Sequence, residues 1–143
     1  LRVRAPCSQI IIQDVPSYVI SHYNIAASRN WSKIVIRLTK KSLLYVKTLY
    51  RVGAIKNYIV VKGIHGFDNI ILSPAFYKNA PFYKNIRYVS TPSKKHTVSL
   101  KALRLLQTAL RASILVLSTP YGLVTHKEAI KLKTGGIIIC ALS

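Results

Sequence analysis

From Ile114 onward, short apolar runs and turn signals follow each other too closely for anything but a small sheet-based domain. The run Ile114 to Leu117 enters a hydroxyl-rich turn, Ser118-Thr119-Pro120-Tyr121-Gly122. A short amphipathic helix follows, then the pair Gly135-Gly136, and the chain closes on the apolar run Ile137 to Leu142. The order is strand, turn, short helix and strand. No apolar run in the chain approaches the ~20 residues that a membrane-crossing helix needs. The longest have strand length and sit beside turn signals.

The other segments yield to the same reading. Asp14 caps a helix with Pro16 in its first turn, and Val15, Tyr18, Val19, His22, Tyr23 and Ala26 recur at helical spacing. Ile34 to Arg37 alternates as a strand. Thr39 opens a second helix with Leu43, Val46, Leu49 and Tyr50 turned inward, and Gly53 ends it as a C-terminal cap. Asn57 to Lys62 and Asn69 to Leu72 form a hairpin around Gly63, His65, Gly66 and Asp68. From Ser73 to Asn85 the chain turns irregular, with Pro74, Pro81 and a short imperfect duplication of Phe-Tyr-Lys-Asn at Phe76 to Asn79 and Phe82 to Asn85. A boundary at Ala80/Pro81 is expected there. Beyond it lie a strand at Ile86 to Ser90, a basic loop through Thr91 to His96, and a helix from Ser99 to Leu110. That helix aligns Leu100, Leu103, Leu106 and Leu110 beside Lys101, Arg104 and Arg111. The fold class is α+β, in two small packed subdomains, residues 1–80 and 81–143.

Charge restricts what such a fold can do. The 143 residues include 22 Lys and Arg against three acids, Asp14, Asp68 and Glu128, for a formal charge of +19. Half the residues are hydrophobic, so this is a folded object with a strongly positive surface rather than a disordered basic tail. Such a surface repels itself and is relieved by a polyanion. Nucleic acid is the first candidate, because cations that neutralise phosphates release condensed counterions. With roughly six to ten such contacts affinity falls about 10³- to 10⁵-fold between ~50 and ~200 mM salt. An anionic membrane surface competes as a partner.

Enzyme chemistry finds no footing. The acids are too few and too scattered for a carboxylate pair, and no phosphate-binding loop or nucleophile elbow occurs. His22, His65, His96 and His126 lack zinc-site spacing with Cys7 or Cys140. No catalytic residue, metal, cofactor or small-molecule substrate is expected. Cys140 lies in an apolar strand and reads as a small hydrophobe; nothing requires it to meet Cys7. Leu1, Arg2, Val3 and Arg4 are not followed by a secretory core, so Asn30-Trp31-Ser32 is a chance glycosylation match. The chain is rich in Ile, Lys, Tyr and Asn, as in an AT-rich organellar genome. It lacks Met even at position 1, which points to processing or an unusual start.

The C-terminal order resembles that of the eighth small-subunit ribosomal protein, a universal family. Its members usually read Ser-Thr-Ser-Lys-Gly at this turn and Gly-Gly before the last strand. Here Ser118, Thr119 and Gly122 are kept, as are Gly135 and Gly136, whereas Pro120 and Tyr121 depart. His126, Glu128, Ala129, Lys133 and Thr134 look like the archaeal and eukaryotic variant. Ile137 stands where bacterial members place Glu. A second match is Arg87-Tyr88-Val89-Ser90-Thr91-Pro92-Ser93-Lys94-Lys95, similar to the family's Arg-Val-Ser-Arg-Pro-Gly-Leu-Arg with Ser93 in place of Gly. The N-terminal half matches more loosely, through Asp14, Thr39-Lys40 and Gly53-Ala54-Ile55. Taken whole, the chain is identified as a divergent bacterial-type or organellar member.

The resemblance implies a non-catalytic constituent of the small ribosomal subunit. It would bind the central domain of small-subunit RNA, support assembly and translation, and have neighbouring ribosomal proteins as its other partners. The implied location is a mitochondrial ribosome, with a plastid ribosome as the alternative. The implied RNA-binding residues are Ser118, Thr119, Tyr121, Gly122, Tyr88, Ser90, Lys94, Lys95, Thr39, Lys40, Gly135 and Gly136. Ser and Thr hydroxyls read base edges and 2′-hydroxyls in the shallow groove of RNA, and Tyr121 can stack on an exposed base. On spacing alone, the hydroxyl turn reads first as an ordinary strand-to-helix connection capped by Thr125 or Ser118, and Gly135-Gly136 as a helix stop. Two rival functions remain: a basic module that binds RNA or DNA without a fixed site, and a membrane-peripheral protein using the Phe-Tyr-Lys duplication as an interfacial patch.

Overall fold

A computed structural model describes residues 15–63, 66, 68–90 and 93–143. The expected Asp14 cap, Cys7, the basic residues Arg2 and Arg4, His65 and Thr91-Pro92 lie outside the described residues. The protein is α+β, and by its own contacts it divides into two compact units, Leu1–Lys84 and Asn85–Ser143.

The first unit builds on two helices, α1 (Val15–Ser28) and α2 (Lys40–Val52), and an antiparallel sheet of β1 (Ile34–Arg37), β2 (Ile55–Val61) and β3 (Asn69–Pro74) in the order β1-β3-β2. The register sets Ile34 opposite Leu72 and Ile36 opposite Ile70, and all four side chains are buried. Val19, Tyr23 and Ala26 of α1 and Val46 and Leu49 of α2 are buried with them. Thr39 caps α2 in a capping box: its hydroxyl accepts from the Ser42 amide at 3.0 Å, and the Ser42 hydroxyl accepts from the Thr39 amide at 2.7 Å. Ser42 also donates to the Arg37 carbonyl at 3.0 Å, which satisfies a fully buried hydroxyl and ties the helix start to β1. Thr39→Ala should therefore cost about 1 kcal/mol, read as a lower urea midpoint in Trp31 fluorescence, the only tryptophan signal in the chain.

Two expectations for this unit are corrected. The inward row of α2 is Ser42, Val46 and Leu49, whereas Tyr50 is 49 % exposed and packs edgewise on Tyr58 at 5.5 Å. The cap fixes the helix phase at Ser42, and Tyr50 falls on its flank. The stretch after Ser73 is not irregular throughout either. β3 runs on to Pro74, and β4 (Phe76–Tyr77) and β5 (Ala80–Pro81) pair as a miniature hairpin, Phe76 opposite Pro81 and Tyr77 opposite Ala80. Lys78 and Asn79 at its tip have φ of 51° and 63°, as a two-residue hairpin turn of the right twist requires. The division between the units falls after this hairpin, at Lys84/Asn85.

The second unit is a sheet of β6 (Ile86–Tyr88), β7 (Thr97–Val98), β8 (Ile114–Thr119), β9 (Gly122–Thr125) and β10 (Gly136–Leu142), with helices α3 (Leu100–Leu110) and α4 (His126–Lys131). The strand that ends the chain is central. β8 pairs along one edge of β10, and β6 and β7 share the other. Leu103 of α3, Leu117, Val124 and Ala129 of α4 form its buried cluster, flanked by Val98, Ile130 and Ile138. Leu103 is the one fully buried leucine of α3. Leu106, expected inward, is 37 % exposed, because the short β7-α3-β8 connection lays only the Leu103 side of the helix on the sheet.

Candidate nucleic-acid interface

Most of the sequence-predicted site residues gather at the N-terminal end of β10. On one edge, Ile137 pairs with Ser118, and β8 turns back into β9 through Pro120-Tyr121, with Thr119 opposite Gly122. The hydroxyl-rich turn is thus the tip of a β-hairpin, not a strand-to-helix connection. β9 lies between the Gly122 turn and the Thr125 helix cap, so its residues read as part of the connection, although its Val124 is buried opposite Leu117 of β8. Thr119 holds the tip: its hydroxyl accepts from the Tyr121 amide at 3.2 Å and donates to the Gly122 carbonyl at 3.0 Å. Pro120 has no amide to satisfy there, Gly122 takes φ +105° at the exit, and Tyr121 is 68 % exposed. The half-buried Ser118 hydroxyl has no hydrogen bond among the described residues.

On the other edge the chain leaves β10 after Val89 and returns at Thr97. Ser90 closes this excursion at its neck. Buried, it donates to the Ile138 carbonyl in a short hydrogen bond and accepts from the His96 amide at 3.0 Å, while the Ile138 amide donates to the His96 carbonyl at 2.9 Å. Ser93, Lys94 and Lys95 are exposed beyond the neck, and Tyr88 is half-buried opposite Cys140. Ser90 therefore shapes the loop, and the two lysines are its solvent-facing cations.

Gly135 and Gly136 lie between these two edges. A Cβ on Gly136 would collide with the Ser118 carbonyl and stand 3.0 Å from Thr119 Cγ2. One on Gly135 would collide with the Val98 carbonyl and stand 3.1 Å from Ser99 Cα. Neither glycine has a positive φ; the left-handed residue after α4 is Lys133, at φ 54°. The expected helix-stop role is corrected accordingly. α4 ends on Leu132 and Lys133, and the glycines are needed where backbones approach too closely for any side chain.

Two supports escaped the sequence reading. Ser99 caps α3, accepting from the Ala102 amide at 3.3 Å, right against Gly135. His126, the first residue of α4, is buried behind the Thr125 cap, and its Nδ1 accepts from the Leu115 amide at 3.2 Å. That bond continues the β8 ladder past the last backbone pair, Val116 with Thr125. Burial, with Lys127 adjacent, lowers the His126 pKa, so the ring stays neutral with Nε2 protonated. No spacing rule would have placed an imidazole in a sheet ladder.

Taken whole, the second unit carries nine Lys and Arg against Glu128 alone. All nine are exposed. The first unit holds the other two predicted residues, Thr39 inside its capping box and Lys40 exposed beside it. Among the described residues no cluster of His, Cys, Asp or Glu could hold a metal ion, and no helix is long and apolar enough to cross a membrane.

Residues 14–142 match the family model described as ribosomal protein S8. The chain belongs to the ribosomal protein S8 family. It is a ribosomal protein, a structural component and not an enzyme. Similar proteins include the small ribosomal subunit protein uS8m of Acanthamoeba castellanii, 27 % identical over 120 residues that cover 84 % of this chain and 91 % of that one. The small ribosomal subunit proteins uS8 of Rhizobium leguminosarum bv. trifolii and Bartonella bacilliformis are 28 % and 30 % identical. Those matches cover 81 % and 80 % of this chain and 86 % of each relative.

Proposed function

We propose that this S8-family protein works in the small ribosomal subunit of a mitochondrion, where it binds the central domain of the subunit's RNA and helps neighbouring proteins assemble. The observation that carries the reading is the corner at the N-terminal end of β10. There an accessible hydroxyl, an exposed ring and exposed lysines sit on a rigid, glycine-packed support in a unit with a single acid. Lys94 and Lys95 neutralise phosphates and set register, while the Ser118 hydroxyl reads base edges or 2′-hydroxyls and Tyr121 stacks on an unpaired base. Gly135, Gly136, Ser90 and Thr119 hold those groups in place, and Tyr88 flanks them. Thr39 and Lys40 supply a further backbone contact from the first unit. The mitochondrial assignment rests on likeness to the Acanthamoeba uS8m.

Ser118→Ala should weaken binding to a central-domain RNA fragment by about 1 kcal/mol without changing stability or nonspecific binding, because the hydroxyl is uncharged and makes no hydrogen bond among the described residues. Thr119→Ala should weaken the same binding and also loosen the hairpin, seen as faster hydrogen exchange across β8 and β9. Filter binding with specific and scrambled RNAs measures the first effect, and equal losses on both RNAs would remove Ser118 from the reader's role. For the whole reading, native lysate is sedimented under subunit-preserving conditions and the protein is crosslinked to its RNA. Co-migration with the small subunit and crosslinks at one internal RNA helix are expected. Slow sedimentation with scattered crosslinks would leave a nonspecific basic binder.

A further inference from the structure

The hairpin of β4 and β5 turns large apolar rings toward solvent. Tyr77 is 65 % and Phe82 60 % exposed, although the segment is firmly tied to its unit. The Ala75 amide donates to the Ala54 carbonyl at 3.0 Å, the Phe82 amide to the Ala75 carbonyl at 3.0 Å, and the Tyr23 hydroxyl to the Tyr83 carbonyl at 3.4 Å. Tyr83 itself is buried and meets the Phe82 ring edge-on at 5.1 Å. With Tyr77 opposite Ala80, the pleat puts Phe82 on the same face as Tyr77, as its diagonal neighbour. Diagonal positions lie about 7–8 Å apart, close to two nucleotide steps of about 3.4 Å. Lys78 Nζ stands 5.4 Å from the Tyr77 ring centroid, and a second exposed lysine, Lys84, follows Phe82 by two residues in the chain. No residue from 75 to 85 is acidic.

From this we infer that the β4–β5 hairpin is a second RNA contact, a platform on which two unpaired bases stack on Tyr77 and Phe82 while Lys78 and Lys84 follow the backbone. Exposed rings interleaved with cations on a rigid support are the chemistry of single-stranded recognition, which tolerates sequence because every base presents a π face. That the strand is ribosomal RNA rests on the function proposed above; the stacking chemistry does not. Two rings and two cations also suit an anionic lipid surface, but here the rings stand on a small hairpin rather than along the apolar face of a helix lying in the interface.

The full chain is titrated with a 12-nucleotide oligouridine and, separately, with a blunt RNA duplex. Tyr77→Ala/Phe82→Ala should weaken oligouridine binding by about 5- to 150-fold for each base unstacked, the equivalent of about 1–3 kcal/mol. The salt slope and duplex affinity should be unchanged. Tyr77→Leu/Phe82→Leu, which keeps bulk but removes the rings, should lose the same affinity, and Tyr77→Phe should keep it. Photocrosslinks should attach uridine to the segment 76–83. Oligouridine binding that is undetectable, or unaltered in folded double variants, overturns the platform, as does ring-dependent binding to phosphatidylserine vesicles without a ring-dependent effect on RNA. Ser118→Ala on central-domain RNA separates the two readings. A loss there with no effect of the hairpin variants removes only the hairpin; a hairpin effect on oligouridine without specific central-domain binding removes only the ribosomal target.

Discussion

Gly135→Ala/Gly136→Ala should unfold the second unit more readily than any surface change. Each new methyl meets backbone on a neighbouring strand, the Val98 carbonyl on one edge of β10 and the Ser118 carbonyl on the other. Backbone in a sheet cannot swing aside as the end of a long side chain can, so each substitution forces β10 and a partner apart. Overpacking of this kind costs about 1–3 kcal/mol per site. The two clashes press on opposite edges of one strand, so the pair should cost on the order of 2–6 kcal/mol, a large part of a small unit's stability. Denaturant unfolding followed by far-UV circular dichroism, together with hydrogen exchange at β7, β8 and β10, measures it. The hairpin tip and the Ser90 neck should open together, and central-domain RNA affinity should fall beyond the stability loss. Gly122→Ala is the contrast: nothing lies within 4 Å of the added methyl, and the cost comes from φ +105° alone, about 1–3 kcal/mol. If the double variant unfolds like the wild type, the glycines are not packing residues.

Stability should fall steeply above pH 9, through one buried group in each unit. Tyr23 is fully buried in the first unit, and burial, helped by the neighbouring Tyr83 hydroxyl, pushes its pKa from 10.0 up to about 12. Cys140 is buried in the second, and burial pushes its thiol from 9.0 up to about 12. In both cases the unfolded chain releases its proton first while the folded one keeps it, so the unfolded state binds fewer protons and stability falls as pH rises. The contribution is complete below about pH 9 for the thiol and pH 10 for the phenol, and it is gone by about pH 12. Each tenfold difference in proton affinity between the folded and unfolded chain is worth about 1.4 kcal/mol, so either group accounts for about 2–4 kcal/mol across that window. Urea midpoints between pH 8 and 11 measure the loss. Trp31 fluorescence follows the first unit and β10 hydrogen exchange the second. Tyr23→Phe should flatten the first profile and Cys140→Ala the second. Parallel slopes in wild type and variants would mean that other groups govern alkaline unfolding.

Much of the architecture can be read from neighbours in the chain. The helices over Val15–Ser28, Lys40–Val52 and Leu100–Leu110 follow from apolar spacing, and the second also from the Thr39 and Gly53 caps, all local signals. Ile34–Arg37 and the apolar half of β10 are legible because β-rich runs end at turn residues. Strands that are only two residues long, or that lie between turn and cap residues, escape, because their few positions read as part of a connection. β9 and the β4–β5 hairpin are such cases. Burial direction fails at helix flanks for a related reason: Tyr50 and Leu106 keep helical spacing, but their exposure depends on how far round the helix the sheet reaches.

The candidate site divides along the same line. Charge already pointed to a polyanionic partner and the family resemblance to RNA, because cations, hydroxyls and glycines are chosen one position at a time. The positions of Ser118, Thr119, Gly122, Gly135 and Gly136 stand out for that reason. Which of them can meet a ligand was decided by packing across the sheet. Ser90 and Thr119 use their hydroxyls to hold a loop and a turn, Ser118 makes no hydrogen bond among the described residues, and the glycines make room for carbonyls that lie far away in sequence. Composition and periodicity determine what local backbone and surface must be, since they act within a few residues. Only the tertiary fold determines which groups are already satisfied, because a hydrogen bond or a clash between strands depends on distances the linear chain does not contain.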